Sequence, residues 1–191
     1  MTTTNNAMIN NTTAPSTVEE LTEVAKTCVG LSTVKKPGKN KGERGQKVEN
    51  LLGLENTNAL TDVSDGDLKT TTLGQTIFIS SLGHCLPEII EQGVEFDVSK
   101  VGRKIGNCLY VAYDKEGNLL GNEKHSKESH PEHHKKLTED FQHISGEIKK
   151  IYSEKGTLST INGPNKLLQI RTKASKNSKG KYPPLVYKNH Q

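Results

Sequence analysis

The sequence predicts an α+β domain, a mixed α/β arrangement in which helices flank a central sheet. One apolar stripe runs at helical spacing, Leu137, Phe141, Ile144, Ile148 and Ile151 stepping by four, three, four and three. Two runs, "DLKTTT" and "CLYVAY", carry the β-branched and aromatic content of strands. Helical and strand segments alternate between Gly- and Asn-rich turns, as in domains where helices cover a sheet. At 191 residues the chain is long enough for one core and too short for an elaborate multidomain machine. No internal repeat is present.

Taken in order, the first fifteen residues are rich in Thr and Asn and nearly free of bulky apolar groups, so residues 1–15 are expected to form a disordered arm ahead of a single domain over 16–191. Ser16 and Glu19 have the spacing of a capping box, and Val18, Leu21, Val24, Ala25 and Cys28 recur at helical spacing up to Gly30. "KKPGKNKGERGQ" reads as a basic, turn-rich linker, followed by a short helix with Val48, Leu51 and Leu52 on one face and Gly53 at its end. Residues 60–63 and the stretch "DLKTTTLGQTIFIS" read as three strands of a β-meander around the turn "SDG". "CLPEIIEQG" and "VSKVGRKIG" each add a helical turn before the strand "CLYVAY" and the turn "DKEGN". A polar, His-rich segment then leads into the Leu137–Ile151 helix, and "KLLQIRTK" reads as a last core strand.

Hydrophobic residues make up 31% and aromatics 4% of the chain, with no Trp, and no run of about twenty apolar residues offers a helical membrane span. The N-terminus has neither the positive nor the apolar region of a secretory signal, so the expectation is a cytoplasmic protein without a membrane partner. Cys28, Cys85 and Cys108 are odd in number, widely spaced and set in apolar contexts, which points to core packing rather than disulfides or a cysteine zinc site. His125, His130, His133, His134 and His143 read as a solvated approach to the long helix rather than a zinc centre.

The net charge of +4 is modest, but its placement is uneven. From Lys155 onward there is no Asp or Glu, so the segment from about 155 to 191 forms a basic lobe suited to a polyanion. Upstream, Glu49, Asp62, Asp67 and Lys69 form the chemically distinctive group. Side chains alternate along a strand, so Asp67 and Lys69 project to one face while Leu68 turns to the other. Two acids and a strand carbonyl are hard oxygen ligands for Mg2+, and the Lys69 ammonium is placed to hold or help deprotonate an attacking water. Phosphodiester hydrolysis adds negative charge to an anionic phosphate, and such a group stabilises that charge in the transition state.

Several separated segments resemble, in order, the mismatch-repair nicking endonuclease MutH and the Sau-type GATC restriction enzymes of the PD-(D/E)xK nuclease superfamily. They are "STVEELTEVAKTC", "KGERGQKVENLLGL", "DGDLKTTTLGQTIF", "SKVGRKIGNCLYVAYDKEG", "EDFQHISGEIKK" and "NKLLQIRTKASKNSKG", with "GxxxExxLG", "DLKT" and "QIRTKA" the most specific. The resemblance implies a restriction-endonuclease-like fold and Mg2+, or Mn2+ in its place, at a one- or two-metal site held by Asp62, Asp67 and Glu49. It further implies Lys69 as the motif lysine and Lys104 as a second lysine near the scissile phosphate. The family usually has Glu where this chain has Asp67. Asp65 competes with Asp62 as a ligand, and Asp62 is preferred because Asp65 sits in the turn.

On the DNA side, the match of "QIRTKA" implies Arg171 and Lys173 on the groove-facing edge, with Lys176 and Lys179 on phosphates and Tyr187 as counterpart of a tyrosine that senses adenine methylation. An Arg pairs bidentately with guanine, which suits a site containing G, while phosphate contacts position the duplex. The expected activity is a Mg2+-dependent type II restriction endonuclease on double-stranded DNA at GATC-like sites. The alternatives are a MutH-like nickase at hemimethylated GATC with MutL as partner, and a catalytically silent DNA-binding member of the family.

Overall fold

Thr17 opens the first helix in the computed structural model, which describes residues 14–32, 42–55, 59–171, 178–180 and 185. In this helix, α1 (Val18–Thr27), the Thr17 hydroxyl accepts the Glu20 amide at 3.2 Å, and the Glu20 carboxylate accepts the Ser16 amide at 2.7 Å. The capping pair is therefore Thr17 with Glu20, one residue later than the expected Ser16 and Glu19. The shift follows from packing: burying Val18, Leu21, Ala25 and Cys28 together places Thr17 at the cap. The second helix, α2 (Glu43–Leu51), starts inside the stretch read as linker. Arg44 explains the early start, because it is buried, donates to the Lys115 carbonyl at 2.7 Å and lies 5.4 Å above the Tyr113 ring centroid.

Strands β1 (Asp67–Thr72), β2 (Asn107–Tyr113) and β3 (Leu119–Ser126) form a mixed sheet in the order β1-β2-β3. β1 and β2 run parallel, whereas β2 and β3 form an antiparallel hairpin. The expected meander is absent among the described residues. Residues 60–63 contribute only an isolated bridge between Val63 and Gly66, and the chain after Thr72 leaves the sheet. A parallel pair cannot be joined by a tight turn, so the chain crosses over through α3 (Leu82–Pro87), a π-helical turn at Glu88–Gln92, a 3-10 turn at Phe96–Val98 and α4 (Lys100–Ile105). β3 takes up part of the segment read as polar and His-rich. Its pairing with β2 supplies the order that its own composition does not.

Register sorts the two faces of the sheet. Asp67, Cys108 and His125 stand in one row and Lys69, Tyr110 and Glu123 in another, all on one face. The other face carries Leu68, Leu109 and Val111, which pack with Val18, Leu21, Ala25, Val48 and Leu52 of the α1 and α2 layer. The long helix α5 (Pro131–Ser153) buries Leu137, Phe141, Ile144 and Ile148 in a second apolar cluster with Leu86, Ile89, Phe96, Ile105 and Leu168. The expected last core strand is reduced to β5 (Gln169–Ile170), paired with β4 (Ile161–Asn162). Cys28, Cys85 and Cys108 are free thiols buried in the interior. No helix among the described residues is long and apolar enough to cross a membrane. Residues 1–13 of the expected N-terminal arm, and most of the basic segment beyond Arg171, lie outside the described residues.

Candidate active site

The turn before β1 and the strand's first residue build the centre of the site. Gly66 packs so tightly that a Cβ there would overlap the Asn107 carbonyl and approach Val18 Cγ2 to 2.6 Å, so the chain enters β1 directly against β2. Asp67 follows, only 1% exposed. The Asp62 amide donates to Asp67 Oδ1 at 3.1 Å, and the Leu68 amide, next to Asp67, donates to Asp62 Oδ2 at 2.9 Å, so each carboxylate is held by a backbone amide of the other's segment. Lys69, two residues along β1 on the same face, donates to Asp67 Oδ2 and to the Leu68 carbonyl, the latter at 3.2 Å. Lys104 arrives from α4 with its ammonium 3.7 Å from the same Asp67 oxygen.

The electrostatics of the pair are asymmetric. Burial would raise the Asp67 carboxyl, but a hydrogen bond with Asp62 and the charges of Lys69 and Lys104 outweigh it and hold Asp67 below its ordinary value. Asp62 goes the other way. It is exposed as a residue, yet its carboxyl is turned in against Asp67, and burial followed by Asp67's hydrogen bond and charge pushes it up to about 7. Asp67 is thus the ionised member and Asp62 the one that carries a shared proton near neutral pH. Farther along the same face, burial pushes the Cys108 thiol up to about 12 and raises the Tyr110 hydroxyl, so both stay protonated.

Asp65 is occupied elsewhere. Its carboxylate accepts the Val18 amide at the start of α1 at 2.8 Å and the Asn107 side-chain amide at 3.2 Å, which leaves Asp62 as the acid facing Asp67. The carboxylate of Glu49 makes no hydrogen bond or ion pair with a described residue. Its helix lies on the opposite side of β1, where Gly45 approaches Thr70 Oγ1. Of the neighbouring cations, Lys100 is held by the His84 carbonyl at 2.8 Å, while Arg103 lines an open cleft of about 450 Å3. That cleft is bounded by Thr61, Gly66, Asn107, Lys124 and Lys127 and flanks the entry of β1.

Arg171 is exposed, its Nε donating to Gln169 Oε1 at 2.7 Å, and Lys179 is exposed as well. Lys173, Lys176 and Tyr187 lie outside the described residues. One residue escaped the sequence reading. Asp140 on α5 is fully buried and accepts the amides of Asn165, Leu167 and Leu168 at 2.7–2.9 Å. It anchors the loop that leads into β5 and Arg171, and Gly163 has no side chain because a Cβ there would overlap this carboxylate. Its position three residues after Leu137 and four before Ile144, inside the apolar stripe, was the signal that could have found it.

The histidine segment departs from the solvated approach expected of it. His125 and His134 are only 5% and 6% exposed, because His125 stands in the Asp67–Cys108 row of the sheet and His134 lies on the inward side of the first turn of α5. Burial, then the neighbouring His133, His130 and His134, pushes His125 down to about 4. Among the described residues, no group of three or more His, Cys, Asp or Glu side chains is placed to hold a metal ion. Neither a protein-family model nor a curated protein matches this chain.

Proposed function

We propose that this chain is a Mg2+-dependent endonuclease of restriction-endonuclease-like fold that hydrolyses phosphodiester bonds in double-stranded DNA at GATC-like sites. The observation that carries the reading is the convergence of Asp62, Lys69 and Lys104, from a turn, a strand and a helix distant in sequence, on the buried Asp67 carboxylate. The buried acid Asp140 is held by neutral backbone amides, whereas Asp67 is met by two lysine ammonium groups and a second acid.

The donor set suits Mg2+, which takes one or two carboxylates and keeps several waters. Asp62, Asp67 and the Leu68 carbonyl are the oxygens that would hold it, and the crowding that protonates Asp62 is what a divalent cation relieves. Bound Mg2+ supplies Lewis-acid polarisation of the phosphoryl oxygen and a more acidic water. The chain's own part is positional. Lys69 orients the attacking water beside Asp67, Lys104 offsets charge growing on the phosphoryl oxygens, and the low exposure of both lysines, 13% and 20%, strengthens that attraction. Arg171 at the end of β5 and the basic segment beyond it supply the cations that hold a duplex.

The test is cleavage of unmethylated, hemimethylated and fully methylated GATC plasmids with Mg2+, with Lys69→Ala as control. Linear products that vanish in the control support a restriction enzyme, and nicks confined to unmethylated strands support a repair-type nickase. Tight DNA binding that is independent of divalent cations and leaves every substrate uncut would overturn the enzymatic reading.

A further inference from the structure

Helix α4 carries three cations, Lys100, Arg103 and Lys104, and the fold employs two of them. Lys100 is held by the His84 carbonyl at 2.8 Å, and Lys104 turns its ammonium to the Asp67 carboxylate, 3.7 Å away. Arg103 is exposed, and its guanidinium makes no hydrogen bond or ion pair with a described residue. Neighbouring residues of a helix are about 100° apart around its axis, so the step from Lys104 to Arg103 leads from the Asp67 side of α4 to the open cleft of about 450 Å3. Gly66 lies in the wall of that cleft, and its Cα is about 3.8 Å from that of Asp67. The cleft therefore begins one residue away from the buried acid.

The other charged groups of the cleft are already engaged. Asp65 accepts the Val18 amide and the Asn107 side-chain amide. Asp97 accepts the Lys127 ammonium at 2.8 Å and is bonded to His134 Nε2 at 2.7 Å. Glu128 is hydrogen-bonded to Ser126 and to its own amide, and Lys124 is paired with Glu19 of α1. Among the described residues, Arg103 is thus the cleft cation that no acid of the chain has claimed. A guanidinium presents a rigid fork of N–H donors that matches two oxygens of a phosphate, and it gives up its hydration more readily than an ammonium does.

The geometry points to Arg103 as the seat of one backbone phosphate of the cut strand, next along that strand from the scissile phosphate, with the cleft beside Gly66 as the strand's path. This inference rests on the nuclease reading above. With the scissile phosphate against Lys69 and Lys104, a strand leaving toward Gly66 brings its next phosphate to the side of α4 where Arg103 stands. Arg103 touches no reacting atom. It is a positioning residue, which sets where the strand lies along the site and carries no base preference of its own.

The test reads binding rather than cleavage, in the full chain carrying Lys69→Ala so that the duplex stays intact. The probes are a GATC duplex and a set of the same duplex in which one phosphate at a time is replaced by an uncharged methylphosphonate. Adding Arg103→Ala is expected to lower the slope of log K against log salt by about 0.9, which weakens binding about tenfold at 0.1 M salt, with the melting midpoint unchanged. Arg103→Lys keeps the charge and should keep the slope. One methylphosphonate, beside the bond that the parent enzyme cuts, should weaken the Lys69→Ala protein by the same factor and leave the Lys69→Ala, Arg103→Ala variant unaffected. An unchanged salt slope on adding Arg103→Ala, or equal sensitivity of both proteins to every methylphosphonate, overturns the seat and leaves the nuclease reading standing. A parent that cuts no duplex, together with a Lys69→Ala protein that shows no salt-dependent binding, overturns both.

Discussion

Replacing Asp140 by Ala tests whether one buried carboxylate holds the Arg171-bearing loop against α5. Three backbone amides donate to it, at 2.7, 2.8 and 2.9 Å, and the side chain has no exposure to solvent. Hydrogen bonds to a charged acceptor are worth about 1.5–3 kcal/mol each, and an orphaned buried amide costs about 1–3 kcal/mol. The Leu168 amide is fully buried and the other two are partly so, which brings the expected loss to about 4 kcal/mol rather than the sum of three maxima. With a urea slope of about 2 kcal/mol/M, the unfolding midpoint should fall by about 2 M with little change in slope. Asp140→Asn keeps one acceptor oxygen and turns a donor toward the amides, so about half that loss is expected. Glu139→Ala, at the neighbouring exposed position, should cost under about 1 kcal/mol. A loss below about 1 kcal/mol for Asp140→Ala, with an unchanged slope, would refute the reasoning.

Lys69→Ala and Lys104→Ala should each lower single-turnover cleavage by about 10²–10³-fold, the usual loss when one group facing developing charge is removed, and rates within threefold of the parent would exclude a catalytic role. Gly66→Ala forces a Cβ onto the Asn107 carbonyl and should cost about 1–3 kcal/mol in urea unfolding while displacing Asp67, and a neutral result would show that the turn yields. His125, held neutral down to about pH 4 against 6.5 when free, makes the unfolded chain the better proton binder between those values. In chelator-containing buffer, stability should therefore rise from pH 4 to 6.5 by up to about 3 kcal/mol, an increment absent from His125→Gln. Asp140 acts in a lower window. Its carboxyl lies below its ordinary value although burial opposes this, because the amides of Leu168, Asn165 and Leu167 bind the charged form, so its contribution is present above about pH 4 and disappears as pH falls through the depressed value.

What the sequence revealed follows the range of the forces involved. The α5 stripe, the α1 stripe and the β2 run are local patterns, and each stands where its periodicity placed it. β3 was hidden because "LLGNEKHS" has no apolar alternation, and its order comes from β2 across the hairpin. The parallel pairing of β1 with β2 was equally out of reach, since a strand's own residues do not state its neighbour, and a meander was the nearer guess. At the site, the Asp67 and Lys69 spacing was readable from strand alternation, whereas the approach of Lys104 across the α3–α4 crossover is a tertiary fact that only a family resemblance anticipated. Asp140 shows the converse failure, a polar letter inside an apolar stripe passing for solvent-facing until its buried loop is seen.

The placement of the polar groups carries a further consequence. One face of the sheet supplies Leu68, Leu109 and Val111 to the first apolar cluster, while the second cluster draws no described residue from β1, β2 or β3. Between that second cluster and the sheet lies a layer of Asp67, Lys69, Lys104, Cys108, Tyr110, His125 and His134. Fold stability does not ask for such a layer, because buried ion pairs commonly give way to apolar residues of similar volume at no cost or with a gain. Where the layer is satisfied, as at Asp67, it is over-satisfied, with two cations on one acid. Where it is unsatisfied, two buried ring nitrogens, His125 Nε2 and His134 Nδ1, have no hydrogen-bond partner among the described residues. Both departures run against what packing alone would select, and both lie in the same layer.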